Sequence, residues 1–483
     1  MSYATKILVL DVFRINDPAM EKSTFQVVFH VACLELQAAL FGYTVAFTGS
    51  TLTAIVEATD ICGGSWSDDQ PVCGAAAWVA SIASLGALAS SIVAGSFADR
   101  YGRRQGLMVN SIIWAVGYAS LAMAEDLFTL LFARFVCGFA TGATSVIVPV
   151  FVTEMSPTNM RGGLGALFNA AISMGIALAF FMPISGADNG WWRVMASVGI
   201  IPAVLSFFSL VLLIPESPRW TAPNSQKTVD VAPAGAKAPA EGAGTPPLCR
   251  KSVAVGVGVI LCFVFSGNNV IQAYMDIILT AGGADPTTGG ALYASTQLLL
   301  ACLMAVKIID NVGRRTLLLI SSGGSALSMF LMAEAVYRGS SSATIIFACT
   351  FIASVTLGLS TLSWIYASEV MPDDARGSGM ALGSLGFWAS SFVLIEVFAN
   401  LDAAIGVSGV LLLYACLCLV SLLFVAMFVV ETRGRSLEEV QRLFGEGPAV
   451  TKVEEPDQAG EDTAPTAVTA TGTMNEARPL LAA

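Results

Sequence analysis

The chain has few side chains able to do acid–base or nucleophilic chemistry, and they stand in unusual places. Of 483 residues only 12% are charged, and His30 is the single histidine. His30, Glu35 and Arg134 fall inside long apolar runs, with Asp276, Glu334 and Glu396 toward the ends of others. An ionisable group in such a run is costly and is a functional candidate by default. Glu35 could exchange a proton or attract a cationic solute; the plainer alternative is a polar tie between helices. No nucleophile stands beside a base and no cluster has metal-ligand spacing, so no enzyme, metal or cofactor is expected. The other charges gather in repeated phrases. DRYGRR at 99–104 and DNVGRR at 310–315 set Asp99 near Arg103 and Arg104, and Asp310 near Arg314 and Arg315. EMSPTNMRG at 154–162 and EVMPDDARG at 369–377 add Glu154, Arg161, Glu369 and Arg376. One exposed ion pair contributes only about 0–1 kcal/mol. A set of them where two halves of a molecule meet could latch one conformation, which is the reading adopted over simple topology anchors.

The elements that must hold these residues are membrane helices. Hydrophobic residues make up 55% of the chain and its mean hydropathy is +0.72. A bilayer-spanning helix needs roughly 20 mostly apolar residues. About twelve such runs start near 25, 75, 105, 127, 162, 193, 252, 289, 316, 342, 378 and 404, predicting an all-α membrane protein. Lys and Arg crowd alternate connections, as in Arg100, Arg103, Arg104, Arg219, Arg314 and Arg315, which predicts that both termini are cytoplasmic. The net charge of −11 owes much to the C-terminal tail and points to no nucleic-acid partner. Cys62 and Cys73 share the first outer loop, where a disulfide is compatible with an oxidising exterior.

The chain is also written twice. The DRYGRR and DNVGRR phrases lie 211 residues apart, the EMSPTNMRG and EVMPDDARG phrases 215, and PESPRW at 215–220 is echoed by VETRGRS at 430–436. Two six-helix halves follow: 25–214 and 251–430, with a short N-terminus 1–24, a Pro/Ala/Gly-rich linker 215–250 and a largely disordered tail 431–483. Such duplications set a solute site between the halves at mid-membrane, exposed to each side in turn.

These phrases in order resemble the sugar porter family of the major facilitator superfamily. FGY at 41–43, GSFADRYGRR, PVFVTEMSPTNMRG, PESPRW, the GNN of 267–269, DNVGRR and VETRGRSLEEV at 430–440 carry the resemblance over nearly the whole membrane portion. It implies a small-molecule substrate, a sugar or polyol, in a chain surrounded by lipid and expected to act as a monomer in the plasma membrane. In proton-coupled members the position of Thr44 is an aspartate that pairs with the arginine matching Arg134. A threonine has no proton to exchange, so the resemblance with this departure implies facilitated diffusion. Arg134 is then expected to serve as a helix-to-helix tie, bonding carbonyls or hydroxyls, that of Thr44 included.

The resemblance also implies a pocket, with departures. Asn169 stands where the family has a sugar-binding Gln. In FVFSGNNVIQAY, 263–274, Asn269 and Tyr274 survive but two glutamines are Phe263 and Val264; Trp364 is kept, and an Asn-Trp pair is Phe387-Trp388. Each sugar hydroxyl buried without a partner costs about 1–3 kcal/mol. Asn169, Asn269, Gln272, Gln297, Thr356 and Thr44 are the candidates to bond a substrate, with Trp364, Trp388 and Tyr274 as flat walls. The expectation is a monosaccharide or polyol uniporter. Its alternatives are a proton symporter using Glu35, a carrier of a less hydroxylated organic solute or ion, and a non-transporting sugar sensor.

Overall fold

A computed structural model describes residues 18–62, 73–157, 160–185, 190–221, 250–304, 312–435 and 437–445. Its elements are α1 (Pro18–Thr59), α2 (Gly74–Tyr101), α3 (Arg103–Ala122), α4 (Leu127–Met155), α5 (Arg161–Phe181) and α6 (Trp191–Leu212) in the first half. The second half holds α7 (Lys251–Phe265), α8 (Asn268–Ala273), α9 (Met275–Ala281), α10 (Pro286–Leu303), α11 (Arg314–Tyr337), α12 (Ser341–Leu357), α13 (Leu359–Val370), α14 (Asp373–Phe428) and a short α15 (Leu437–Leu443). Among the described residues nine helices are long and apolar enough to cross a membrane. The last of them, α14, turns at Gly406 (φ 69°) and so makes two crossings. The shorter α3 and α10 complete a twelve-helix bundle.

The halves meet along three seams: α1 against α8 and α9, α2 against α14, and α5 against α10. Within the first half, small residues bring backbones together, because lipid supplies no hydrophobic drive between helices. A Cβ on Gly42 of α1 would strike the Ile172 carbonyl of α5, and one on Gly175 of α5 would strike Ala39. A buried polar network binds α1, α3, α4 and α6. Asn110 donates to Gln37 (2.8 Å) and Thr144 (2.9 Å), while Gln37 donates to Ser111 (2.9 Å) and Ser206 (3.2 Å).

The repeated charged phrases fold into two matching corners at one end of the bundle. The chain turns sharply from α2 into α3 at Gly102 (φ +107°), where a Cβ would also strike the Glu216 carboxylate. Glu216, which follows α6, caps α3 by accepting the Arg104 backbone N–H at 3.0 Å. Arg104 returns the favour to α6, donating to the Leu210 and Val211 carbonyls at 2.6 and 2.8 Å. The second half repeats the arrangement: Glu431 accepts the Arg314 N–H at 2.8 Å, and Arg315 donates to Ala426 at 2.8 Å. Helix starts leave N–H groups and helix ends leave C=O groups without partners, and these side chains satisfy both. Arg104 and Arg315 therefore act as helix caps in this conformation, while Asp310, the acid set near Arg315 in sequence, lies outside the described residues.

At the opposite end Cys62 and Cys73 are disulfide-bonded, with Cα atoms 5.9 Å apart. There Asp126 caps α4 through Thr129 N–H, and Asp285 caps α10 through Thr288 N–H. Those bonds hold both carboxyls below the ordinary aspartate range. Helix α1 begins at Pro18, and its membrane-length apolar stretch at Gln26. After residue 430 the short α15 packs on α13 and buries Val440. The linker residues 222–249 and the tail beyond 445 lie outside the described residues.

Candidate functional site

The seventh crossing is broken twice. Gly267 adopts a left-handed conformation (φ +80°) between α7 and α8, and Tyr274 breaks α8 from α9. The breaks bring Asn269 and Gln272 into the interior: the Asn269 amide donates to Ser391 of α14 at 2.7 Å, and that of Gln272 to Gln297 of α10 at 3.3 Å. From the first half, Asn169 of α5 donates across the molecule to Thr361 of α13 at 3.1 Å. Thr361 in turn donates to the Thr356 carbonyl at 2.7 Å. The Thr356 hydroxyl is buried with no hydrogen-bond partner among the described residues, so it is a free polar group in this region.

Aromatic rings line the same level. Phe41 of α1 touches Phe168 of α5 (centroids 6.3 Å) and, across the interface, Trp388 of α14 (5.8 Å). Phe387 then links Trp388 (5.0 Å), Trp364 (5.6 Å) and Phe263 (5.6 Å) in one cluster. Phe263 and Phe387, the residues that stand in place of amides, thus pack on each other and fill space. Phe41, Phe168, Thr361 and Ser391 were not singled out from sequence. Spacing alone did not distinguish them from residues facing lipid or packed inside one half.

Two expected pocket residues are placed elsewhere. Tyr274 stacks on Phe398 at 4.1 Å and donates to the Ile395 carbonyl at 3.0 Å, so it is a packing residue of the second half. Thr44 donates to the Leu40 carbonyl (2.9 Å) and shares a hydrogen bond with the Tyr118 hydroxyl (2.7 Å), inside the first half. Both hydroxyls are satisfied away from the interface.

Arg134 is fully enclosed and ties three helices. Its Nη1 donates to the Thr44 backbone carbonyl at 3.1 Å and its Nε to the Val79 carbonyl at 3.3 Å, with its guanidinium 5.8 Å from the Phe47 ring. Its bond to residue 44 thus goes to the main chain, not to the hydroxyl. Glu35 is 7% exposed, and neither carboxylate oxygen has a hydrogen-bond partner among the described residues.

At the arginine-rich corners, Arg103 pairs with Asp99 (2.9 Å) and Glu154 (3.1 Å), and Arg314 with Glu369 (3.4 Å). Ser217 and Thr432 donate to Glu154 and Glu369 at 2.5 and 2.6 Å, again at matching places. These pairs each join residues of one half. Arg376 donates to the Met371 carbonyl at 3.2 Å. Asp310 and the side chain of Arg161 lie outside the described residues. Glu216 and Glu431, the acids that cap these corners, were legible in the sequence only as an echo; the matching glycine-arginine turns were the available signal.

Comparison with known proteins fits this arrangement. The sequence pattern of the sugar (and other) transporter family matches residues 30–238 and 240–444. The plastidic glucose transporter 4 of Arabidopsis thaliana is 30% identical over 441 residues, covering 85% of this chain and 79% of that protein. The D-xylose transporter of Levilactobacillus brevis is 28% identical over 435 residues, covering 83% and 92%. Among solved structures, the inward open conformation of the xylose transporter XylE from E. coli superposes with a TM-score of 0.72 at 20% identity, covering 86% of this chain and 99% of that one. With two matching six-helix halves and a family pattern spanning both, the chain belongs to the sugar (and other) transporter family, as a multi-pass membrane transporter of the major facilitator fold.

Proposed function

We propose that this protein carries a monosaccharide or polyol across the plasma membrane by facilitated diffusion, with its arginine-rich corners and both termini on the cytoplasmic side. The observation that carries the mechanism is the Arg134 tie: its hydrogen bonds go to the main-chain carbonyls of Val79 and Thr44, and residue 44 has no carboxyl to exchange a proton. The substrate bonds Asn169, Asn269, Gln272, Gln297 and Thr356 when the halves rearrange, with Trp364 and Trp388 against its apolar face. The Phe263–Phe387 contact narrows the site relative to one lined by amides, favouring a small or sparsely hydroxylated sugar. The acids and arginines of the corners, Asp99, Arg103, Glu154, Arg161, Asp310, Arg314, Glu369 and Arg376, regroup across the halves when that end closes.

The test is uptake into vesicles containing the purified protein, with labelled hexoses, pentoses, polyols and small organic ions. Saturable uptake of a sugar or polyol that an uncoupler leaves unchanged is expected; collapse on dissipating the proton gradient rejects uniport. The carboxylate of Glu35, which has no hydrogen-bond partner among the described residues, favours a second reading, proton symport. Normal transport by Glu35→Gln between pH 5.5 and 8 would dispose of it.

A further inference from the structure

We infer that Asp276 and Glu396, two carboxylates of the second half, form the latch that keeps the disulfide end of the bundle shut and sets how readily the transporter opens to that side. The inference rests on the alternating-access reading above and on the outward placement of the disulfide end.

The two acids act across different seams. Asp276, on α9 and 5% exposed, accepts from the Thr53 hydroxyl (3.0 Å) and the Thr53 N–H (3.3 Å) of α1. Glu396, on α14, accepts from the Ser81 hydroxyl of α2 at 2.6 Å. Acceptance by an ionised oxygen makes a hydrogen bond shorter and roughly twice as strong as a neutral one. Both bonds must break if the halves part here, and both carboxylates then meet incoming water. Exchange of protein for water bonds keeps the net energy modest, so the latch is reversible.

One packing unit sets both acids. Tyr274, two residues before Asp276, stacks on Phe398 and bonds the carbonyl of Ile395, the neighbour of Glu396. Tyr274 thus ties the start of α9 to the stretch of α14 that bears Glu396. A cavity of about 210 Å³ lies over the first contact, lined from both halves by Ser50, Thr53, Phe180, Trp191, Asp276 and Thr287. Below the latch the α2–α14 seam continues to Ser91, which is 3.4 Å from Ser384. The opposite end differs in this conformation, since the ion pairs Arg103–Glu154 and Arg314–Glu369 each lie within one half and do not join the halves.

The experiment places a reporter on the hidden face. Ser84 is buried at 6% exposure, one turn from Ser81 along α2 toward Ser91. In right-side-out vesicles a membrane-impermeant maleimide should label Ser84→Cys slowly. Adding Asp276→Ala with Glu396→Ala should speed labelling about tenfold or more. Thr53→Val with Ser81→Ala, which spares the acids, should do the same, while Thr53→Ser should stay close to the parent rate. In transport, the freed variants should show a lower KM from the outer side together with a lower maximal rate, a split that mere loss of structure does not produce. Unchanged labelling in monodisperse Asp276→Ala/Glu396→Ala protein overturns the latch. Were labelling of the parent insensitive to transported sugar, alternating access would fail instead; sugar-sensitive labelling that the double variant leaves unaltered rejects only the latch.

Discussion

Arg134 donates to the backbone carbonyl of Thr44 at 3.1 Å, while the Thr44 hydroxyl turns away to Tyr118 at 2.7 Å. The guanidinium and the side chain of residue 44 therefore occupy one layer without bonding each other. Thr44→Asp sets a carboxyl in that layer, beside a buried cation. Uptake by this variant is expected to respond to an inward proton gradient, and uptake by the parent is expected not to. Identical uncoupler responses in the two proteins would contradict this.

The two corner acids are structural before they are functional. Glu216 and Glu431 each cap a helix start across more than a hundred residues of chain. Loss of such a cap costs about 0.5–2 kcal/mol. Glu216→Ala and Glu431→Ala should each lower the thermal unfolding midpoint, and by similar amounts because the corners match. Gly102→Ala should also destabilise, since a side chain there is strained by φ +107° and meets Glu216. Unaltered melting of all three variants would exclude the capping role.

Phe263 and Phe387 pack on each other, and in the proposed site their contact takes room that amides would use to reach a sugar. Phe263→Gln with Phe387→Asn should improve hexose transport relative to smaller solutes. A net hydrogen bond of about 1 kcal/mol corresponds to roughly fivefold in KM. Competition between labelled sugars in vesicles measures the shift, and a change favouring the smaller solute would count against the reading.

Asp285 should give the α10 cap a defined pH dependence. Its carboxyl is held low by the Thr288 hydroxyl and backbone N–H. A depressed folded-state value means the stabilisation is fully present above the unfolded value of about 3.9 and fades as pH falls through the folded one. Asp285→Ala should therefore melt below the parent at pH 7, and the gap should shrink below about pH 4. A gap independent of pH would show that ionisation is irrelevant.

Much of this protein is legible in one dimension. Apolar runs of membrane length, arginines in alternate connections and paired phrases near one offset specify a twelve-helix duplicated bundle, because each of these signals is local to a segment. GNN at 267–269 helped to carry the family resemblance, but the break at Gly267 emerged only in the structure. Partnership was not legible. The same amide of Asn169 could have met a solute, lipid-side water or Thr361, and the carboxyl of Glu216 was only a repeated letter until α6 delivered it to the start of α3. Asp276 and Thr53 stand 223 residues apart, so their contact exists only once α9 lies on α1. The hydrophobic pattern decides which segments enter the membrane; which polar atoms meet there depends on helix rotation and close approach, and those are set by packing among all the helices at once.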